Sequence, residues 1–317
     1  MKLMGIDLGG INIATAVVDE KGAILAKHSQ PTPRGVEPER VADAMAQAVR
    51  AAADKAGLAL EEIASVGVGA PGTIEPEEGV VEYWSNLDFN HVPLVRYLTG
   101  RLGRPVCIEN DANAAALGEY AAGAGKGCRS MLAITLGTGV GGGAILDGKL
   151  YTGFNYAGME VGHFVVEHGG RPCTCGRLGC FEAYCSATAL IKRTRLEMQA
   201  CPDSLLWQEA GGDLDRVEGR TAFQALARGD AAAKRVVDEY AAYLGDGITS
   251  LVNILQPEIV CLGGGVAGAG RVLLDPVQAI LDREDYARQN KRRTRLMPAR
   301  LGNDAGLIGA ALLPLFR

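Results

Sequence analysis

The sequence predicts an α/β protein that contains two similar halves, and three observations support this fold class. An apolar strand followed by a glycine-rich turn occurs twice, at residues 5–11 and again at residues 133–139. Between and after these copies, short apolar segments alternate with Ala-rich helical segments. The 317 residues include 43 glycines and only 5% aromatic residues, a composition typical of an α/β protein with many tight turns.

The two copies of the repeat agree in more than their glycines. Residues 5–11 read GIDLGGI, residues 133–139 read AITLGTG, and the agreement continues to Asp19 and Asp147. Each copy predicts a strand, a glycine turn and a returning strand. Glycine lets backbone N–H groups approach an anion closely. Two such turns at matched positions therefore predict two phosphate-binding loops that face each other across a cleft.

The segments between the two copies predict further strands and helices. The predicted elements are a helix over Val36–Ala56, a strand over Ile63–Gly69, a short strand over Pro105–Ile108 and a helix over Ala114–Ala122. Asn110 and Asp111 then lie between the carboxyl end of a strand and a helix N-terminus, where open α/β sheets bind ligands. The alternative role of Asp111 is that of a helix cap.

The second half of the chain continues the alternation. Helices are predicted over Phe181–Ala200, Asp230–Leu255 and Ala305–Leu313, and a polar surface excursion over Asp203–Arg220. The apolar strand Ile259–Leu262 leads into a third glycine turn, Gly263–Gly265. This turn predicts a further close approach to a nucleotide, and the alternative is an ordinary connection from a strand to a helix.

A short segment of the second half has the composition of a metal site. His163 is followed by Cys173, Cys175 and Cys180, and three thiolates with one imidazole form a closed tetrahedral site for Zn²⁺. A closed set leaves no position for a reactive water, so the sequence predicts a structural zinc ion. The alternative is a glycine-rich loop with unrelated cysteines.

Charge and hydropathy argue against several classes of function. The net charge of −5 and a pI near 5.5 disfavour a nucleic-acid surface, which needs clustered positive charge. No apolar segment reaches the ~20 residues of a membrane helix, and the N-terminus does not resemble a signal peptide. The sequence thus predicts a cytoplasmic protein without nucleic-acid or membrane partners, whose remaining cysteines are free thiols.

Seven motifs, taken in order, resemble those of the ROK family, which comprises sugar kinases and related repressors of the actin and hexokinase superfamily. The motifs are Asp7–Gly10, Gly69–Gly72, Asn110–Asn113, Leu136–Gly143, Glu160–His163, Cys173–Cys180 and Leu262–Gly265. The resemblance implies two actin/hexokinase-like (ribonuclease-H-like) domains with an interdomain cleft and a small zinc-bound loop. It implies a smaller domain over 1–114, joined by a C-terminal helix over 303–317, and a larger domain over 115–302 that contains the zinc site.

The resemblance also implies a role for each motif. Asp111 is expected to be the general base for a sugar hydroxyl, and Asp7 to organise Mg²⁺. The expected sugar contacts, besides Asp111, are Asn86, Asn110, Glu160, His163 and Glu182. The expected contacts to ATP are Asp7, Gly9, Gly10, Asn12, Gly137, Thr138, Gly139, Gly264 and Gly265. His163 is expected to bind zinc through one ring nitrogen and sugar through the other.

Three positions have simpler explanations or depart from the family pattern. A turn role is the alternative for Asn86, and the start of a helix is the alternative for Glu182. The family usually has Thr where this chain has Ile11, so one hydroxyl donor to the phosphates is lost. We expect weakened but not abolished use of the nucleotide.

The resemblance implies an ATP-dependent hexose kinase, most similar to glucokinases, that forms a dimer or tetramer. Allose, mannose, fructose, N-acetylmannosamine and N-acetylglucosamine remain alternative substrates, and polyphosphate an alternative donor. A repressor is the second class, but Asp7 lies too near Met1 for a preceding DNA-binding domain. A non-catalytic sugar-binding protein is the third, and Ile11 is its only support.

Overall fold

The structure is a computed structural model that describes residues 1–316. The chain forms two compact units. The first unit comprises residues 1–133, 143–159 and Ala299 onward, and the second comprises residues 134–142 and 160–298. The predicted division between residues 114 and 115 falls inside a helix that belongs wholly to the first unit. No helix of the described chain has the length and apolar character needed to cross a membrane.

The first five-stranded sheet has the order β3-β2-β1-β4-β8, and a separate three-stranded sheet has the order β5-β6-β7. Strands β1 and β2 are antiparallel, whereas β4 runs parallel to both β1 and β8. The elements are β1 (Lys2–Leu8), β2 (Asn12–Asp19), β3 (Ile24–Pro31), α1 (Pro38–Lys55), β4 (Ile63–Ala70), β5 (Thr73–Glu75), β6 (Val80–Trp84), β7 (Phe89–Val92), α2 (Leu94–Leu102), β8 (Val106–Asn110) and α3 (Asp111–Ala122).

The second five-stranded sheet has the order β11-β10-β9-β12-β13, with β12 and β13 parallel. The elements are β9 (Met131–Leu136), β10 (Val140–Leu146), β11 (Lys149–Tyr151), α4 (Glu182–Cys185), α5 (Ala187–Ala200), α6 (Leu205–Glu209), α7 (Thr221–Ala227), α8 (Ala231–Leu255), β12 (Ile259–Gly263), α9 (Arg271–Glu284), β13 (Arg295–Pro298) and α10 (Ala305–Leu312). The two sheets match strand for strand. This confirms the repeat and the predicted α/β fold class.

Two predicted segments differ in the structure. The predicted helix Phe181–Ala200 is interrupted at Ser186, whose backbone is extended and whose hydroxyl accepts the N–H of Ala189 to cap α5. The predicted surface excursion Asp203–Arg220 contains α6 and buries Leu206 and Val217. The first prediction was wrong because Ser186 caps a new helix within the segment. The second was wrong because the apolar side chains of Leu206 and Val217 are buried. The predicted C-terminal helix ran to Arg317, which lies outside the described residues; α10 ends at Leu312.

Helix α10 packs on the first sheet through glycines. A Cβ added at Gly5 of β1 would lie 2.0 Å from the carbonyl oxygen of Leu307, and one at Gly67 of β4 would lie 1.7 Å from that of Ala310. The backbones are therefore too close for any side chain to lie between them. This close approach explains why Gly5 lies in the middle of the apolar strand β1 and Gly67 in the middle of the apolar strand β4.

Gly67→Ala is predicted to destabilise the protein, because the added methyl group must displace the backbone of α10. We expect a loss of at least about 3 kcal/mol and a thermal midpoint lower by about 5 °C or more. Gly100→Ala in α2 is the matched control, since a Cβ there meets nothing within 4 Å and alanine favours a helix. Calorimetry that gave the two variants equal midpoints would contradict the close packing.

Candidate active site and metal centre

The first unit brings two acidic side chains to one edge of its sheet. Asp7 lies near the carboxyl end of β1, opposite Gly69 of β4. Asp111 is the first residue of α3, which directly follows β8. A Cβ at Gly69 would lie 3.7 Å from the Cα of Asp111 and 3.2 Å from the Cβ of Ala114. The glycine therefore lets the first turn of α3 approach the strand that pairs with Asp7.

Burial of this acidic pair shifts both carboxyl groups in the same direction. Burial, and secondly the charge of Asp111, raise the pKa of Asp7 from 3.8 to about 6. Burial also raises the pKa of Asp111, although the backbone N–H of Ala112 opposes the shift. A carboxylate with a raised pKa is a stronger base, which suits proton abstraction. Two partly buried carboxylates also fit a divalent cation, which prefers oxygen ligands and would reduce their repulsion.

Asn110 and its neighbour Glu109 hold the first turn of α3. The side-chain oxygen of Asn110 accepts the N–H of Ala112 at 2.9 Å and that of Asn113 at 3.3 Å, so Asn110 is the helix cap. Its amide nitrogen donates to the carbonyl of Gly72 at 3.3 Å, which leaves one N–H for a ligand. The sequence prediction missed Glu109, which is only 3% exposed and accepts from Asn110 N and Asn113 Nδ2.

The first glycine loop joins β1 to β2. Gly9 N donates to Asn12 O at 2.9 Å, which closes the turn. The hydroxyl of Thr32, a residue that the sequence prediction also missed, donates to Gly9 O at 2.7 Å. A Cβ at Gly10 would lie 3.5 Å from Nδ2 of Asn86, so the structure places Asn86 beside this loop. Ile11 is 73% exposed, and its side chain is not part of the core.

The second glycine loop, residues 137–139, joins β9 to β10 in the second unit. Helix α5 holds it on one side, because Ala187 N donates to Gly137 O and Thr188 Oγ1 donates to Thr138 O, both at 2.8 Å. The third glycine turn lies against the same strand end. Gly264 has a φ of +83°, and a Cβ there would lie 2.5 Å from the carbonyl oxygen of Leu136. The structure thus brings the second and third turns together.

Four predicted metal ligands converge in the second unit. The ligand atoms of His163, Cys173, Cys175 and Cys180 all lie within 4.8 Å of one another. The sulfurs of Cys175 and Cys180 are 3.7 Å apart, as are Cys173 Sγ and Nδ1 of His163. Bonds of about 2.3 Å at tetrahedral angles separate two sulfurs by about 3.8 Å. The donor set and its spacing therefore fit a zinc ion held through Nδ1, which leaves Nε2 of His163 free for another ligand.

The loop that contains these cysteines, residues 173–180, is called the metal loop below. It is held in a tight conformation. Gly176 and Gly179 have φ values of +88° and +79°, and a Cβ at Gly179 would lie 1.7 Å from the carbonyl oxygen of Glu167. His163 ends a single 3₁₀ turn whose preceding residue is Glu160, and His163 N donates to Glu160 O at 3.0 Å. The exposed Glu160 and the imidazole are thus presented by one short turn.

Glu182 contacts both the metal loop and the second glycine loop. Its Oε2 accepts the N–H of Val140 at 2.9 Å, and its Oε1 accepts the hydroxyl of Thr174 at 3.3 Å. The sequence prediction named Glu182 as a sugar contact, and neither of these partners was expected. A helix start alone does not explain the residue, because its carboxylate bonds to other segments.

The matched sheets, the glycine loops and the acidic pair define an actin/hexokinase-like α/β protein. The sequence profile of the ROK family matches residues 3–315. The chain is 38% identical over 310 residues to a glucokinase of Streptomyces coelicolor, which covers 97% of this chain and 96% of that protein. It is 37% identical over 313 residues to a glucokinase of Thermotoga maritima, covering 98% and 96%. The chain therefore belongs to the ROK family.

A solved structure gives the same result for the fold. The crystal structure of a ROK family glucokinase from Streptomyces griseus, in complex with glucose and AMPPNP, aligns with a TM-score of 0.81. The two chains are 37% identical, and the alignment covers 99% of each.

Asp7→Asn is predicted to stabilise the protein at neutral pH. Because folding raises the pKa of Asp7 from 3.8 to about 6, the folded state binds more protons than the unfolded state between these values. The free energy of unfolding therefore falls as pH rises through this window, and above it ionised Asp7 costs no more than about 3 kcal/mol. The variant lacks this cost. Its midpoint of thermal unfolding, measured by calorimetry at pH 8, should therefore be higher than that of the wild type.

At about pH 4 the same comparison should give nearly equal midpoints, because Asp7 is then protonated in the folded wild type. Asp54→Asn, at an exposed position of α1, is the control and should change neither midpoint. A stabilisation by Asp7→Asn that was the same at both pH values would argue against a raised pKa.

Proposed function

We propose that this protein is an ATP-dependent hexokinase that converts D-glucose into glucose 6-phosphate. The observation that best supports this function is Asp111, a partly buried carboxyl group with a raised pKa at the first turn of α3. Identities of 36–38% to curated glucokinases over nearly the whole chain support glucose as the substrate. The same similarity supports ATP with Mg²⁺ as the phosphoryl donor.

In the proposed mechanism Asp111 accepts the proton of the sugar 6-hydroxyl as that oxygen attacks the γ-phosphorus of ATP. The P–O bond to ADP breaks, and the proton stays on Asp111 until product release. Asp7 is the residue that would hold Mg²⁺, which when bound would neutralise phosphate charge. The N-terminal cap by Asn110 fixes the first turn of α3 and therefore the position of the base.

The remaining predicted site residues divide between sugar and nucleotide. We assign sugar hydroxyl contacts to Asn86, Asn110, Glu160, His163 and Glu182. We assign contacts to ATP to Gly9, Gly10, Asn12, Gly137, Thr138, Gly139, Gly264 and Gly265. Ile11 has no hydroxyl group that could donate a hydrogen bond to the nucleotide. A homo-oligomer, either a dimer or a tetramer, is the assembly that we expect for the enzyme.

We assign a structural Zn²⁺ to His163, Cys173, Cys175 and Cys180. The four ligands leave no open coordination position, so the ion fixes the metal loop and does not react. Binding through Nδ1 would set the tautomer and orientation of His163. The imidazole would then present Nε2 to a sugar hydroxyl in a fixed direction.

The proposed function is tested by ADP release with Mg·ATP and a panel of glucose, mannose, fructose, allose, N-acetylglucosamine and N-acetylmannosamine. We expect the highest kcat/KM with glucose. Asp111→Asn should lower kcat by about 10²–10⁴-fold with nearly unchanged glucose affinity, because only the base is lost. Asp54→Asn should keep full activity. A preference for another sugar would reassign the substrate, and near-normal kcat in Asp111→Asn would remove this residue as the base.

Cys175→Ser is predicted to lose the bound metal and to weaken glucose binding. The reason is that three ligands hold zinc less tightly and release His163 from its fixed orientation. Zinc content by atomic absorption and glucose affinity by calorimetry measure both effects. Cys201→Ser, which changes a cysteine of the same unit outside the cluster, should retain one equivalent of zinc. Full zinc content in Cys175→Ser would overturn the ligand assignment.

A further inference from the structure

The second glycine loop and the metal loop line the same cavity of the second unit. This cavity has a volume of about 620 Å³. Thr138 and Gly139 contribute one part of its wall, and Cys173 and Thr174 contribute another. Glu182 lines the cavity between the two loops. Glu182 is therefore a side chain of this cavity that contacts both loops.

The two oxygens of the Glu182 carboxylate bond to different loops. Oε2 accepts the N–H of Val140 at 2.9 Å, immediately after the glycine loop. Oε1 accepts the Thr174 hydroxyl at 3.3 Å and lies 3.8 Å from Sγ of Cys173, a proposed zinc ligand. The bond from Val140 has the length of a charge-assisted hydrogen bond, whereas the bond from Thr174 is long and therefore weaker. The carboxylate is thus a direct link from the metal loop to the glycine loop.

Gly139 makes this contact possible. A Cβ at residue 139 would lie 2.3 Å from Oε2 of Glu182, so any side chain there would push the carboxylate away. The opposite side of the loop is fixed by α5, through Ala187 N and the Thr188 hydroxyl. With α5 on one side and Glu182 on the other, the peptide groups of residues 137–140 are held in one orientation.

We propose that Glu182 is a positioning residue that couples the metal loop to the second glycine loop, so that an ordered metal loop increases affinity for the nucleotide. The inference rests on the proposed function, because it assumes that this glycine loop binds the phosphates of ATP. It differs from the sugar contact assigned to Glu182, because it requires an effect on nucleotide binding in the absence of sugar. Pre-oriented N–H groups lose less freedom when phosphates bind, and this is the source of the affinity.

The test is calorimetric titration of the zinc-loaded protein with Mg·AMPPNP without sugar. Glu182→Ala should raise the dissociation constant about tenfold, as expected for loss of one charge-assisted hydrogen bond. Thr174→Val removes only the hydroxyl that donates to Oε1, and should raise it about threefold to fivefold. Glu284→Ala, at the surface of α9, is the control and should bind like the wild type. Zinc content should stay at one equivalent throughout.

Steady-state kinetics supply the second readout. In Thr174→Val the KM for ATP should rise while kcat and the KM for glucose stay close to those of the wild type. A positioning role is overturned if Glu182→Ala binds AMPPNP as tightly as the wild type, even if its glucose affinity falls. The coupling to the metal loop is overturned if Glu182→Ala binds AMPPNP more weakly than the wild type and Thr174→Val binds it as tightly as the wild type. A wild type that binds no AMPPNP would overturn the proposed function together with this inference.

Discussion

The candidate active site of the first unit depends on direct backbone contact between α10 and the elements beneath it. Besides Gly5 and Gly67, the pair α3 and α10 is joined by glycines: a Cβ at Gly118 would lie 2.1 Å from Ala305 O, and one at Gly309 would lie 1.6 Å from Ala114 O. Main-chain atoms have no rotamers, so these contacts fix the distances between β1, β4, α3 and α10 more rigidly than interlocking side chains could. The positions of Asp7 on β1 and Asp111 on α3 follow from this packing.

The same packing explains the electrostatic state of the acidic pair. The first turn of α10 covers Asp7, since a Cβ at Gly306 would lie 3.5 Å from its Oδ2, and this cover removes water from the carboxylate. Burial is accordingly the largest cause of the raised pKa of both Asp7 and Asp111. The protein keeps two carboxyl groups where they reduce its stability at neutral pH. Such a cost is typical of groups that are retained for chemistry or cation binding, because replacement by neutral side chains would stabilise the fold.

Local patterns in the sequence predicted what local structure determines. The repeated strand and glycine turn, the strand-to-helix junction at Asp111 and the spacing of the cysteines each depend on neighbours in the chain, and the structure has each of them. Features set by distant partners were missed. Glu119, for example, is 3% exposed and accepts the backbone N–H groups of Ala124, Arg300 and Leu301. Nothing near Glu119 in sequence indicates a partner 181 residues away, and Val140, 42 residues from Glu182, was hidden for the same reason.

The contacts of Glu182 are compatible with its predicted role at the sugar. An ionised carboxylate has about four acceptor positions, and the bonds from Val140 N and Thr174 Oγ1 occupy two of them. The remaining positions can accept sugar hydroxyls without displacing either bond. A closed metal site at the proposed ligands would support this arrangement, because it would fix Cys173 next to Thr174 and make the loop a rigid donor. Under the proposed function, one carboxylate would therefore bind sugar while it orients the glycine loop for the phosphates, and the proposed metal would influence both substrates without contacting either.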